Sequence, residues 1–252
     1  MEQIIPYCGP APLPETLATA WTFAPLPVAL ALAPLAGVAL KRLAGGGPRP
    51  AGPGPETDAP ARRDLIPAGL ASFGLVLAFL SPLCALTVAL FSARTAHHLV
   101  LLFLVAPALA ALRPLAWPRG AGLAATSALL WLWHLPAAYA WAWESPSAYW
   151  LMQAGMVGAA WAMWSDLRAE DPVGGLVQIL ALTGQMGLIG AILTFAPGLL
   201  YPQHLATTAA FGLDALDDQR LAGLVMWGPG MLPLALAGAW MARQGWRRMA
   251  AP

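Results

Sequence analysis

Seven apolar runs, near residues 21–40, 65–91, 96–112, 121–143, 147–164, 174–195 and 221–241, alternate with polar stretches along the chain. Each run is close to the roughly 20 residues that a helix needs to cross a bilayer. The second is long enough to tilt, or to bend at Pro82. The pattern predicts an all-α, polytopic membrane protein, folded as a single domain of seven transmembrane helices. A lead of residues 1–19 precedes the first run. It holds four prolines, two acids and no Lys or Arg, so the basic region of a cleavable signal peptide is missing. Residues 41–64 are rich in Gly and Pro and read as a flexible loop. Residues 196–220 form the last long loop.

Composition agrees with this layout. Hydrophobic residues make up 59 % of the chain and charged residues 10 %, where a soluble domain carries about a quarter charged. The net charge of +1 is spread over short loops and gives no surface for nucleic acid. Two cysteines, Cys8 and Cys84, are too few for a disulfide scaffold.

The distribution of Lys and Arg orients the bundle. With the N-terminus outside, eleven of them (among them Lys41, Arg42, Arg113, Arg119, Arg168 and Arg247) fall on the inner side, against Arg94 and Arg220 on the outer. The positive-inside rule therefore predicts an outer N-terminus and a cytoplasmic C-terminus. In that frame all four histidines (His97, His98, His134 and His204) and both cysteines belong to the outer half.

Ionisable side chains inside a membrane helix are costly and usually functional. His97 and His98 open the third run. Successive helix residues diverge by about 100°, so the two cannot both face one interior. Arg94 shares a face with His98 at i, i+4. Pro136 should bend the fourth helix just past His134 by freeing the carbonyl of Leu132, turning that histidine toward a cavity. Met186 and Met226 reach a similar depth. Thioether with imidazole is a donor set for soft metal, above all Cu(I). The plainer readings are an interfacial polar cluster for the histidines and core packing for the methionines. Trp141 and Trp143 read as an outer aromatic belt. Asp214, Asp217 and Asp218 precede or open the last helix, where an acidic cap suits the dipole and a negative mouth could attract cations. Gly223, Gly228 and Gly230 suit close helix packing.

No phosphate-binding glycine loop, Cys-x-x-Cys or Cys-x-x-Cys-His occurs, and every Asp and Glu falls in a loop or at a helix end. Hydrolase, ATPase and ion-driven carrier chemistry are disfavoured, and the chain does not read as an enzyme.

Four stretches, FSARTAHHLVLLFLVAPALAALRP, LWLWHLPAAYA, GAILTFAPGLLYP and DDQRLAGLVMW, together with the opening PYCGPAP, resemble the CtaG family of cytochrome c oxidase assembly factors. The resemblance implies a bacterial inner-membrane protein that binds copper at the outer face and assists its insertion into a terminal oxidase subunit. A periplasmic copper chaperone and membrane lipid would be further partners. His98 matches the second histidine of the family's third-helix motif, and His134 its His-Leu-Pro histidine. Asp218, Gln219 and Met226 match the closing motif. Arg94-Thr95 stands where members often have His-Met. His204 has no fixed counterpart. The resulting ligand expectation is His98 and His134, completed by Met226, Met186 or Cys8, with His97 in reserve. A copper permease and a haem-binding electron carrier are the alternatives.

Overall fold

The computed structural model describes residues 6–44, 59–169 and 171–250, and among them all regular structure is helical. Five stretches are long and apolar enough to cross a membrane: Pro25–Ala44, Arg63–Leu80, Phe91–Leu112, Pro172–Phe195 and Ala215–Met249. Two of the seven expected spans fall outside this set for local reasons. The expected fourth is interrupted at His134, which leaves the apolar helix Ala121–Trp133 short. The expected fifth is a 24-residue helix, Pro146–Ala169, that carries Gln153, Ser165, Asp166 and Arg168.

The first helix, α1 (Pro25–Ala44), lies against α2 (Ala59–Leu75). The expected loop over 41–64 is thus helical at both ends, and its middle, 45–58, lies outside the described residues. A π-turn over Val76–Leu80 ends at Ser81, whose hydroxyl accepts the Leu83 amide and starts α3 (Pro82–Ala89). Pro82 stands at the first position of α3, where its missing N–H costs nothing. Leu90 is extended, and α4 (Phe91–Val100) begins there. The third span therefore starts at Phe91 rather than at 96.

A second π-turn, Leu101–Val105, joins α4 to α5 (Ala106–Leu112). The Trp164 indole donates to the Leu102 carbonyl at 2.8 Å and holds this turn in place. Beyond it come α6 (Ala121–Trp133), α7 (Pro136–Glu144), α8 (Pro146–Ala169) and α9 (Pro172–Phe195), then α10 (Ala215–Trp227) and α11 (Leu232–Met249). The run from Phe91 to Leu112 is central, touching α2, α3, α8 and α10.

Glycines permit two of the closest approaches. A Cβ on Gly122 would meet the Met163 amide at 2.4 Å, and one on Gly223 would meet Thr194 and the Gly190 carbonyl. Gly223 thus packs α10 on α9 as expected. Gly228 and Gly230 do not share that role, because an added Cβ there meets only the backbone of Leu224 or Met226, one turn back in the same segment.

The lead is docked onto the bundle. Tyr7 stacks on Tyr149 with ring centroids 4.8 Å apart, and Cys8 is disulfide-bonded to Cys84 of α3. The two cysteines, too few for a scaffold, make one tether across 76 residues of chain.

Candidate functional site

The site is anchored at Asp218. Its side chain is fully buried in α10 and points away from its own helix start. It accepts the Phe91 amide at 2.6 Å, the Ser92 amide at 3.2 Å and the Ser92 hydroxyl. Those are among the donors that the first turn of a helix leaves unsatisfied, so Asp218 caps α4. Its expected role at the start of the last helix falls to Asp214, which accepts the Leu216 amide. Asp217 pairs with Arg220 at the surface, a contact worth little. Gln219 is equally buried. Its Oε1 accepts the Leu200 amide at 2.7 Å and its Nε2 reaches the Gly198 carbonyl. The Asp-Gln pair therefore joins α10 to α4 and to the loop that follows α9. That loop ends at Asp214, six residues earlier than expected.

With α4 so placed, His98 faces a small internal cavity of about 30 Å³. His134, Met186 and Met226 line the same cavity, together with Met156 of α8. Four residues singled out in the sequence are thereby brought together. Met156 is an addition. It lies ten residues into α8, the same depth range as the others, so the depth argument that selected Met186 and Met226 would also have found it.

The break in the fourth helix positions His134. Leu135 is extended and Pro136 starts α7, as its missing N–H demands. The Leu132 carbonyl does not go free, because it accepts the Leu135 amide. The carbonyl that finds a new partner is that of His134, which accepts the Tyr201 hydroxyl at 2.7 Å. The His134 ring sits 2.7 Å, through Nδ1, from the Leu130 carbonyl. A carbonyl only accepts, so Nδ1 carries the proton and Nε2 is left with a lone pair, as in metal-binding histidines. His98 Nε2 is buried with no hydrogen-bond partner.

The remaining histidines serve other surroundings. His97 is 1 % exposed and, turned away by the 100° step, packs edge-on to Phe79 with its ring still 5.5 Å from that of His98. It does not line the cavity. His204 is also buried, its Nε2 2.6 Å from the Tyr139 hydroxyl and its ring against Trp143. Burial, helped by the nearby Arg94, lowers its pKa to about 3, so it is neutral at working pH. Burial likewise raises the Tyr201 hydroxyl above its ordinary value. Cys8 departs furthest from expectation. Its sulfur is bonded to Cys84, and the cavity is left without a thiolate.

Arg94 lies on the cavity wall, 3 % exposed. Its guanidinium sits 5.2 Å from the ring centroids of both Tyr139 and Trp143, and Nε donates to the Thr87 carbonyl. Trp143 is therefore part of the arginine's setting rather than of a surface belt, while Trp141 stays half exposed. Among the described residues no three side chains of His, Cys, Asp and Glu converge. The cavity's donors are two imidazoles and three thioethers, all neutral.

A sequence profile described as cytochrome c oxidase caa3 assembly factor matches residues 120–248. The chain belongs to that family. The matched segment carries His134, Met156, Met186, Gln219 and Met226, while His98 and Arg94 lie before it. As an oxidase assembly factor of the caa3 type, the protein belongs with the machinery that builds a respiratory enzyme. No curated protein and no solved structure matches the chain.

Proposed function

We propose that the chain handles copper for a terminal oxidase. It would hold Cu(I) between His98 Nε2, His134 Nε2 and one or more of Met156, Met186 and Met226, and pass it to an oxidase subunit. The observation that carries this reading is the convergence of two histidines and three methionines on one cavity. Neutral imidazole and thioether donors suit a soft, low-coordinate monovalent ion. Release is by ligand exchange, in which a partner's thiolate or imidazole replaces one weak thioether at a time.

The bundle sits in a bacterial inner membrane with its N-terminus outside, a reading supported by the eleven-to-two distribution of Lys and Arg. In this arrangement α6 with α7, and α8, complete seven crossings, and the cavity lies in the outer half. A periplasmic copper chaperone would load it from that side. The size of the cavity speaks against haem, since sites for ligands of that size occupy roughly 300–1,000 Å³. A permease would need donors along the rest of the path, and no histidine or cysteine lies there.

Copper stoichiometry tests the proposal. The purified protein should bind one Cu(I), and the double variant His98→Ala/His134→Ala should lose it while staying folded. Unchanged copper in that variant would overturn the reading. Deletion of the chain should lower whole-cell oxidase activity, and added copper should partly restore it.

A further inference from the structure

The copper cavity also carries groups that no metal can use. Arg94 Nη1 is buried and has no hydrogen-bond partner. The same holds for Nε1 of Trp133, whose side chain is 5 % exposed. Both residues line the cavity. A guanidinium and an indole N–H are donors only and have no lone pair to give. Leaving such donors unpaired in the interior is costly, more so for the charged one.

Charge makes the same demand. No carboxylate lines the cavity, and among the described residues Arg94 forms no ion pair. Asp218, the buried carboxylate nearest in the fold, is committed to the start of α4. Every candidate metal donor is neutral. A bound Cu(I) would keep its full charge beside a fixed guanidinium in a low-dielectric interior, where like charges repel strongly.

Space allows a second occupant. A water-sized particle needs roughly 10–15 Å³ of such a cavity, and about 30 Å³ is present. We propose that the cavity takes a small monovalent anion of halide size beside the metal, held by Arg94 Nη1–H and Trp133 Nε1–H. Cu(I) is then stored as a neutral metal–anion pair. The anion accepts from both unpaired donors and completes the coordination shell, and the neutral pair no longer repels the guanidinium, which keeps its own charge. The part concerning copper rests on the function proposed above, while anion binding to the metal-free protein does not.

The test uses the full-length protein in detergent with its disulfide intact. In the metal-free arm, chloride or bromide replaces gluconate, an anion too large for the cavity, at constant ionic strength. The melting temperature should rise with halide in wild type and stay flat in Arg94→Gln and in Trp133→Phe. The second variant keeps the packing and guards against misfolding of the first. In the copper arm, competition with a Cu(I) chelator should show roughly tenfold tighter binding in chloride than in gluconate, a dependence lost in Arg94→Gln. X-ray absorption at the copper edge in bromide should show a Cu–Br distance in wild type alone. Indifference to halide in both arms, with copper bound, would mean that water fills the space and would overturn the inference. A halide-dependent melting temperature in a protein that binds no Cu(I) would instead overturn the copper reading and leave the anion site standing.

Discussion

Asp218 of α10 reaches across to the first amides of α4 at the end of the bundle that holds the histidines. At the opposite end, Asp166 of α8 reaches across to the Gly122 amide at the start of α6. Both aspartates are buried, and both satisfy a helix start that belongs to another element. The surroundings differ. Around Asp166 the cations Arg113, Arg119 and Arg168 are exposed. Beside Asp218, Arg220 is paired with Asp217 at the surface, while Arg94 is buried with two aromatic rings for company. The same packing device closes a solvated rim at one end and shapes an internal chamber at the other. Helix capping alone is therefore no sign of a functional site. The chemistry is added by what the capped helix carries one or two turns further on.

That contrast can be broken most directly at the two aspartates. Asp218→Ala leaves two amides and a hydroxyl unpaired in the interior and should cost about 3–5 kcal/mol. It should also abolish copper binding, because α4 and with it His98 lose their anchor. Asp166→Ala should cost less, about 1–2 kcal/mol, and leave copper binding intact. Denaturation in detergent and metal analysis of both variants check the pair. Equal copper loss in the two would erase the distinction between the ends.

A second difference is covalent. The Cys8–Cys84 tether belongs to the histidine end alone and closes a long loop. Cys8→Ser should lower stability by about 2–4 kcal/mol, and reduction of the wild type should reproduce the loss. Copper stoichiometry should be unaffected, since neither sulfur lines the cavity. Copper lost together with the bond would return Cys8 to the ligand set.

The smallest effect concerns His204. Its folded-state pKa, about 3, lies below the ordinary 6.5. Between those values the unfolded or undocked loop binds the proton and the folded one does not. Stability is complete above about 6.5 and falls as the pH drops toward 3. Going from pH 7 to pH 5 should cost about 2 kcal/mol, felt first in the loop between α9 and α10. Hydrogen exchange of that loop at the two pH values measures it, and His204→Gln should remove most of the dependence. The exposed end has no histidine and should show no comparable response.

Much of this was legible in the sequence. The apolar runs marked the helices, and the proline after His134 marked the break. Depth along each run selected His134, Met186 and Met226, and the family resemblance selected His98 from the adjacent pair. Depth says nothing about angle, however, and it is the placement of α4 that puts His98 rather than His97 on the cavity. The partners of Asp218 are 126 and 127 residues away, and those of Cys8 are 76. Pairings at such range depend on the whole bundle and have no local signature. The aspartates looked like caps and were caps, but Asp218 serves another helix. Five of the seven runs stand as long apolar helices, and in the other two a break or polar residues divide the run, beside the cavity and beside the Asp166 cap.

The loop between α9 and α10 has a kinetic consequence. Leu200 is held by Gln219, Tyr201 by the His134 carbonyl, His204 by Tyr139 and Thr207 by the Ala89 carbonyl. Four attachments to four separate elements make piecemeal fraying unproductive, so the loop lifts as a unit or not at all. Because one attachment ends on the backbone of His134, lifting also slackens a residue that lines the cavity. For the copper proposed there, residence time would follow how often this loop detaches, and a docking partner that competes for any one of its anchors would shorten it.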